Sequence, residues 1–282
     1  MRLRRNWLTF AQMPHEVEDN IPEYFDSNRS LWNKRAEVHF NSDFYNVKSF
    51  KEGKSSLNKI EIDEMGDVQG KTLLHLQCHF GMDTISWAKR GAITTGLDFS
   101  ENAIGLARKL ADELKEDMRF VCCNVYDAKQ HLNEKYDIIY TSYGTIGWLP
   151  DLKKWAQVIA ELLKPDGMFY MVDFHPIIWM FDNNFEFLKY SYFNSGEPII
   201  EENNSYAVKD ESIYGKEYGW NHSISEILSA LSDSGLSLSF FNEHSYSPYN
   251  SFSNMVETAP GQWKIKHLQD KIPMLFSLAA KK

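Results

Sequence analysis

Leu73-Leu74-His75-Leu76-Gln77-Cys78-His79-Phe80-Gly81-Met82-Asp83-Thr84, followed by Gly96-Leu97-Asp98-Phe99-Ser100, is the stretch on which the fold turns. An apolar run of strand length stops at Gly81 and a helix-period segment follows. A second apolar run then ends on the carboxylate of Asp98, 17 residues beyond that glycine. Strand, tight turn, helix start, strand and acid, in that order, make the layout of a nucleotide-handling βαβ unit. Histidine and glutamine stand in this turn where such units ordinarily carry glycine, so the backbone must reach its conformation with side chains attached.

Outward from this unit the chain keeps alternating. Gly66 and Gly70 punctuate the entry to a first strand over 72–78. A helix over 83–89 closes at Gly91, and a second strand spans 92–98. Ser100 is placed to cap a helix whose apolar residues Ile104, Ala107, Leu110, Ala111 and Leu114 recur at three and four. A third strand is predicted over 119–125 and a fourth over 136–142. Asp151 caps a helix with the stripe Leu152, Trp155, Val158, Ile159, Leu162 and Leu163, which Lys164-Pro165-Asp166-Gly167 stops. Met168 to Asp173 reads as a central parallel strand. The order predicts an α/β, doubly wound sheet with helices on both faces.

The flanks differ from this core. Residues 1–65 carry a partly helical pattern in Leu31, Trp32, Ala36, Val38 and Phe40, and are expected as a helical segment packed on a main domain at 66–282. Twelve aromatics lie between Phe174 and Trp220, too much apolar surface to stay solvated, so residues 176–220 are expected as a cap insertion. Ser223 to Glu226 is a capping box opening a helix. Residues 236–243 and 273–279 are the last two strand candidates, with an irregular aromatic loop between them.

Composition narrows the partners. Over 282 residues, 43% are hydrophobic and 24% charged, as in ordinary globular domains, and the net charge of −9 argues against a nucleic-acid partner. Small solutes are the expected ligands, with a monomer or homodimer as the assembly. Cys78, Cys122 and Cys123 have neither disulfide-framework nor metal-ligand spacing, which points to a reducing, cytoplasmic setting. The basic start Met1 to Arg5 is followed by an apolar run, Trp7 to Ala11, too short for a signal sequence, and no run approaches membrane-spanning length.

Four segments together carry a family resemblance: Leu73 to Gly81, Gly96 to Ser100, Tyr136-Asp137-Ile138-Ile139-Tyr140, and Leu163-Lys164-Pro165-Asp166-Gly167. From about Leu31 onward the chain resembles a class I S-adenosylmethionine-dependent methyltransferase. More closely it resembles a bacterial subset with the motifs His-Leu-Gln-Cys-His-Phe-Gly and Trp-Leu-Pro-Asp, here His75 to Gly81 and Trp148 to Asp151. The resemblance implies a Rossmann-like seven-stranded sheet whose last strand is antiparallel and sits beside the sixth. It also implies S-adenosylmethionine as cofactor and methyl transfer to a small-molecule acceptor.

Residue by residue, the family's acid-x-Gly-x-Gly-x-Gly turn falls on His75, Gln77, His79 and Gly81, with Cys78 between them, and only the third glycine is kept. By resemblance, Asp98 accepts the ribose hydroxyls, which suits a carboxylate offering two acceptor oxygens to a vicinal diol; Phe99 follows it. Asn124 and Val125 fall where the adenine is contacted, and Ser142 where the fourth strand opens on the crevice. Tyr143, Trp148 and His222 are candidates for the acceptor side. His175, leaving the fifth strand at the same edge, is the candidate proton acceptor. His75, Cys78 and His79 straddle a strand–turn junction rather than one helix face, so no metal is expected. Two rivals follow from the residues: a non-catalytic protein binding S-adenosylmethionine or S-adenosylhomocysteine, suggested by the replaced turn, and an NAD-dependent oxidoreductase, suggested by Asp98 but lacking G-x-G-x-x-G.

Overall fold

Leu73, Leu74, His75 and Leu76 of β1 (Thr72–Leu76) are all buried, as a strand with parallel neighbours on both edges should be. Those neighbours are β2 (Ile93–Asp98) and β4 (Tyr136–Ser142). β3 (Arg119–Cys122) pairs in parallel with β2, and β5 (Leu163–Phe174) with β4. The computed structural model describes residues 15–203, 205–208 and 213–282. The stretches Met1–Arg5 and Trp7–Ala11 lie outside them.

Two later strands complete the sheet. β8 (Ser237–His244) is at its edge, and β11 (Leu275–Lys281) is inserted antiparallel between β5 and β8. The order is β3-β2-β1-β4-β5-β11-β8, the seven-stranded arrangement with an antiparallel last strand expected above. On one face Leu76, Leu97, Ile139 and Phe169 pack against Trp155 and Ile159 of α7 (Leu152–Leu162) and Ile227 of α8 (Ile224–Asp233). On the other, Leu73, Tyr140 and Tyr170 pack with Trp87 of α4 (Met82–Lys89) and Met65 of α3 (Lys59–Met65). Ser100 caps α5 (Glu101–Leu114) through Ala103 N–H, Asp151 caps α7 through Lys153 and Lys154, and Ser223 caps α8 through Glu226.

Three expectations are corrected. β3 stops at Cys122, because the Asn124 side chain turns back to accept from Tyr126 N–H and caps a 3₁₀ turn that leads into α6 (Ala128–His131). β5 begins at Leu163 rather than Met168; Asp166 takes a φ of 62° and the register with β4 shifts between Tyr136 and Ile138, so the turn is absorbed within the strand. The loop between the last two sheet strands is not irregular throughout. It holds a hairpin, β9 (Met255–Ala259) and β10 (Gln262–Ile265), turned at Pro260-Gly261 with Gly261 at φ 69°.

The flanking segments meet over the carboxyl edge of the sheet. α1 (His15–Phe40) lies along α5 and along β7 (Gly215–Gly219), which forms a hairpin with β6 (Ile199–Asn203). Buried Asn28 completes that hairpin's open edge, accepting from Tyr218 N–H and donating to Tyr218 C=O at 3.0 and 2.8 Å. Asn33 accepts from Ser100 Oγ at 2.6 Å, tying α1 to the start of α5. α2 (Val47–Lys51) follows α1 and buries Val47 and Phe50.

Trp155 is fully buried against Phe169, with ring centroids 5.3 Å apart. Trp155→Ala is expected to lower unfolding free energy by about 3–5 kcal/mol through the cavity it leaves. Urea denaturation measures this, and a loss under about 1 kcal/mol would contradict the packing described.

Candidate functional site

Gln77 and His79 both adopt φ 53°, and Gly81 follows at φ 78°. The turn therefore holds the left-handed conformation that favours glycine at two positions that carry side chains, at a cost of roughly 1–3 kcal/mol each. Local hydrogen bonds hold it there. Cys78 N–H donates to Leu97 C=O at 2.9 Å, His79 N–H donates to Asp98 Oδ2 at 2.8 Å, and Gln77 Nε2 donates to Thr145 C=O at 2.9 Å. Gly81 itself has no room for a side chain, since a Cβ there would stand 2.8 Å from the Phe120 ring.

Above this turn is a cavity of about 1210 Å³. His75, Gln77, Cys78, His79, Gly81, Asp98, Phe99, Asn124, Val125 and Ser142 line it, and so do Tyr143 and Trp148. Its far wall is aromatic. Trp32 of α1 meets Trp148 and His79 edge-on, each at 5.4 Å between centroids; Tyr45 meets Phe80 at 4.8 Å, and Tyr249 meets Tyr143 at 5.0 Å. Two buried polar atoms at the turn, Gln77 Oε1 and His79 Nε2, have no hydrogen-bond partner among the described residues.

His175 and His222 are not among the residues that line the cavity. The chain turns after Phe174 so that Phe174 faces the cavity while His175 faces β8, with Nδ1 accepting from Ile177 N–H at 3.2 Å and Nε2 at 3.1 Å from Glu243. His222 is 2% exposed and is used at the entry to α8, between Leu149 C=O at 2.7 Å and Glu226 at 2.9 Å. Among the described residues no group of three or more His, Cys, Asp or Glu could hold a metal ion, and no helix is long and apolar enough to cross a membrane.

This geometry can be set beside known proteins. Residues 74–169 match the model of the methyltransferase domain. That segment runs from β1 into β5 and contains the turn, Asp98 and the edge of the cavity. The chain is also similar to the ubiquinone biosynthesis O-methyltransferase of Coxiella burnetii, 28% identical over 109 residues, covering 39% of this chain and 46% of that protein. The chain thus spans about half the length of the curated relatives it matches. Among solved structures it is similar to an S-adenosylmethionine-dependent methyltransferase from Mesorhizobium loti, with a TM-score of 0.54, 18% identity and coverage of 82% of this chain and all of the other. It is similar too to the geranyl diphosphate C-methyltransferase of Streptomyces coelicolor, with a TM-score of 0.52, 16% identity and 79% and 77% coverage. At these identities the likeness is one of fold.

Within the methyltransferase-domain segment the electrostatics are set by burial. Burial pushes His75 down to about 3, so the ring is neutral; Nδ1 is 2.9 Å from Thr84 Oγ1 and Nε2 is 3.3 Å from Ser142 Oγ. Burial pushes Asp98 up to about 6, against the N–H groups of Ser100 and His79, which favour its charged form. Sequence reasoning missed Asp83, Asp173 and the aromatic residues Tyr45 and Tyr249, all of which line the cavity. Asp173 accepts from the backbone of Gly144, Thr145, Ile146 and Phe174 and so shapes the loop after β4. Its signal was an acid near the carboxyl end of an otherwise apolar stretch, Met168 to Phe174.

The neutral state of His75 has a pH signature. Below its ordinary value of 6.5 the unfolded histidine takes a proton that the buried ring refuses until about 3. The stability tied to this ring is therefore complete above pH 6.5 and is lost as pH falls from there toward 3. His75→Asn removes that dependence. The destabilisation it causes near pH 7.5 should shrink by about 2–3 kcal/mol near pH 4.5, measured by urea unfolding at both pH values; an unchanged difference would contradict a buried neutral His75.

Proposed function

We propose that this protein is a methyltransferase that uses S-adenosylmethionine and acts on a small-molecule acceptor, of the bacterial subset with the His75 to Gly81 and Trp148 to Asp151 motifs. The observation that carries the proposal is the turn after β1. Gln77 and His79 hold the backbone conformation of glycine, and the His79 N–H is bonded to the same carboxylate, Asp98, that faces the cavity. The methyltransferase-domain match over 74–169 and the fold support it independently.

The residues fit such a cofactor. Each oxygen of Asp98 already accepts one backbone N–H and keeps a lone pair for a ribose hydroxyl. Gln77 Oε1 and His79 Nε2 are buried polar atoms at the turn whose missing partners a polar ligand would supply. Asn124 and Val125 line the neighbouring part of the cavity, although the Asn124 amide oxygen also caps its own turn, 3.1 Å from Tyr126 N. When bound, the cofactor supplies a methyl group already activated by its sulfonium.

What remains for the chain is placement and exclusion of water. Trp148 is fixed by its own indole N–H, which donates to Gly144 C=O at 2.9 Å. Tyr143 is fixed by donating to Glu61 at 2.7 Å, and burial pushes Glu61 up to about 7. With Tyr249 and Trp32 these rings make a wall suited to an organic acceptor. The curated relative named for ubiquinone biosynthesis agrees with a small-molecule acceptor.

Titration calorimetry with S-adenosylhomocysteine should show binding to one site. Asp98→Ala should weaken it by about 100-fold or more, because two charge-assisted hydrogen bonds to the ribose are lost. No binding of either S-adenosylmethionine or S-adenosylhomocysteine at about 1 mM would overturn the proposal.

A further inference from the structure

Asn58, Glu61, Tyr143 and Tyr249 are brought together at the cavity wall from separate parts of the chain. Glu61 is the third residue of α3, and as the glutamate of a capping box it needs only one oxygen for the cap. Its Oε1 serves that purpose, accepting from Asn58 N–H at 2.6 Å. Yet Glu61 is 0% exposed, and its other oxygen, Oε2, accepts from the Tyr143 hydroxyl at 2.7 Å. None of the ion pairs among the described residues includes Glu61. A carboxylate withdrawn from water with neutral donors alone is unfavourable, and such a group beside a cavity is a candidate for proton transfer.

Tyr143 connects this carboxylate to the cavity. It follows the last residue of β4, the strand paired with β1, and lines the cavity that the turn and Asp98 also line. Its hydroxyl gives its one proton to Glu61 and keeps its lone pairs to accept another. Asn58 Nδ2 donates to the Tyr249 hydroxyl at 2.7 Å, and the Tyr249 ring meets Tyr143 edge-on at 5.0 Å, so Tyr143 is fixed at its hydroxyl and at its ring. Other acids at this edge are engaged, Asp173 by the backbone of the loop after β4 and both oxygens of Asp98 by backbone N–H groups. Burial pushes Glu61 up to about 7, which narrows its distance from a phenol or an ammonium, whose protons leave at about 10.

We propose that Tyr143 and Glu61 form a proton relay for the methyl acceptor, in which Tyr143 takes the proton of a phenol or an amine and hands its own to Glu61. The inference rests on the methyl-transfer reading above and adds the residues that take up the proton. The acceptor's O–H or N–H bond breaks and its electron pair forms the bond to the methyl carbon, while the pair of the broken S–CH3 bond stays on sulfur as a neutral thioether. The acceptor's proton bonds to the Tyr143 oxygen as the Tyr143 proton bonds to Glu61 Oε2, so the carboxylate and sulfonium charges are both neutralised. Burial pushes the Tyr143 hydroxyl well above the usual tyrosine range, in keeping with a phenol that takes one proton as it gives one. Tyr143 touches the acceptor and is the catalytic residue; Glu61 acts through it. When product leaves, the proton returns by the same route to water.

The test measures methyl transfer from S-adenosylmethionine, labelled in its methyl group, to a panel of phenols, catechols, primary amines and tertiary amines. A phenol, catechol or primary amine should be methylated, and the labelled atom tells oxygen from nitrogen. With that acceptor kcat should rise with pH through about 7, as Glu61 becomes a carboxylate. The titratable groups that face Glu61 are Asp83 of α4, Tyr140 of β4, Tyr143, Tyr170 of β5, Tyr246 and Tyr249. Asp83, pushed by burial to about 6, is the other carboxylate among them, so the rise must vanish in Glu61→Gln. Glu61→Gln and Tyr143→Phe should each lower kcat by about 100-fold or more, the scale of general-base catalysis, and change S-adenosylhomocysteine affinity by less than about two-fold. Apart from turnover, infrared difference spectra of the ligand-free protein should show a carboxyl band that titrates at about 7 and is absent from Glu61→Gln. Methylation of tertiary amines alone or of nothing in the panel, a pH rise that survives Glu61→Gln, or a Tyr143→Phe kcat within about two-fold of wild type overturns the relay. Should Glu61→Gln fail to fold, Tyr143→Phe, which removes only a hydroxyl, carries the test. Protein that binds S-adenosylhomocysteine but fails these tests loses the relay alone, whereas protein that binds neither S-adenosylmethionine nor S-adenosylhomocysteine overturns the cofactor reading itself.

Discussion

The hydrogen bond from His79 N–H to Asp98 Oδ2, at 2.8 Å, is the interaction on which the rest of the site depends. It joins the turn after β1 to the end of β2, and it is made by a residue whose φ of 53° costs energy for any side chain larger than glycine's. With Ser100 N–H on the other oxygen at 2.9 Å, Asp98 fixes the turn and the start of α5 together. Burial works against its charge and pushes it up to about 6, while these donors favour the charged form. One carboxylate thus holds the strained backbone and faces the cavity.

The side chains at the turn then decide what surrounds it. Glycines there would leave an open floor, whereas His79 extends into a ring cluster with Trp32 and Phe80, at 5.4 and 4.2 Å between centroids. Through Trp32 the turn is coupled to α1, and through Asn28 α1 is coupled to the hairpin of β6 and β7. The N-terminal helix and the aromatic insertion accordingly meet over the same cavity. Their contacts are polar where they fix position and aromatic where they border the cavity.

The α/β order was legible because burial writes itself into the sequence. β1, β4 and the later part of β5 are mostly apolar, and α5 and α7 carry clear stripes that follow N-caps at Ser100 and Asp151. The insertion of β11 between β5 and β8 came from resemblance, since local pattern carries no information about strand order. Local signals misled where one residue had two uses. Asn124 reads as a strand residue until its side chain turns to cap, and Pro260-Gly261 reads as loop although it closes a hairpin. In the site, Asp98 was legible from its spacing to Gly81. His175 sits at the right sheet edge but faces β8, and a register of one residue separates it from Phe174, which does line the cavity. Asp83 was missed because an acid in a helix's first turn has an ordinary explanation, although it also lines the cavity.

The turn after β1, with histidine and glutamine in place of glycine, is the proposed cofactor site. A crystal structure of the protein with S-adenosylhomocysteine tests it most directly. The ribose is expected on Asp98, with Gln77 and His79 still at positive φ and the thioether chain running over the turn. Ligand density elsewhere, or a turn that abandons the left-handed conformation when the ligand binds, would contradict it.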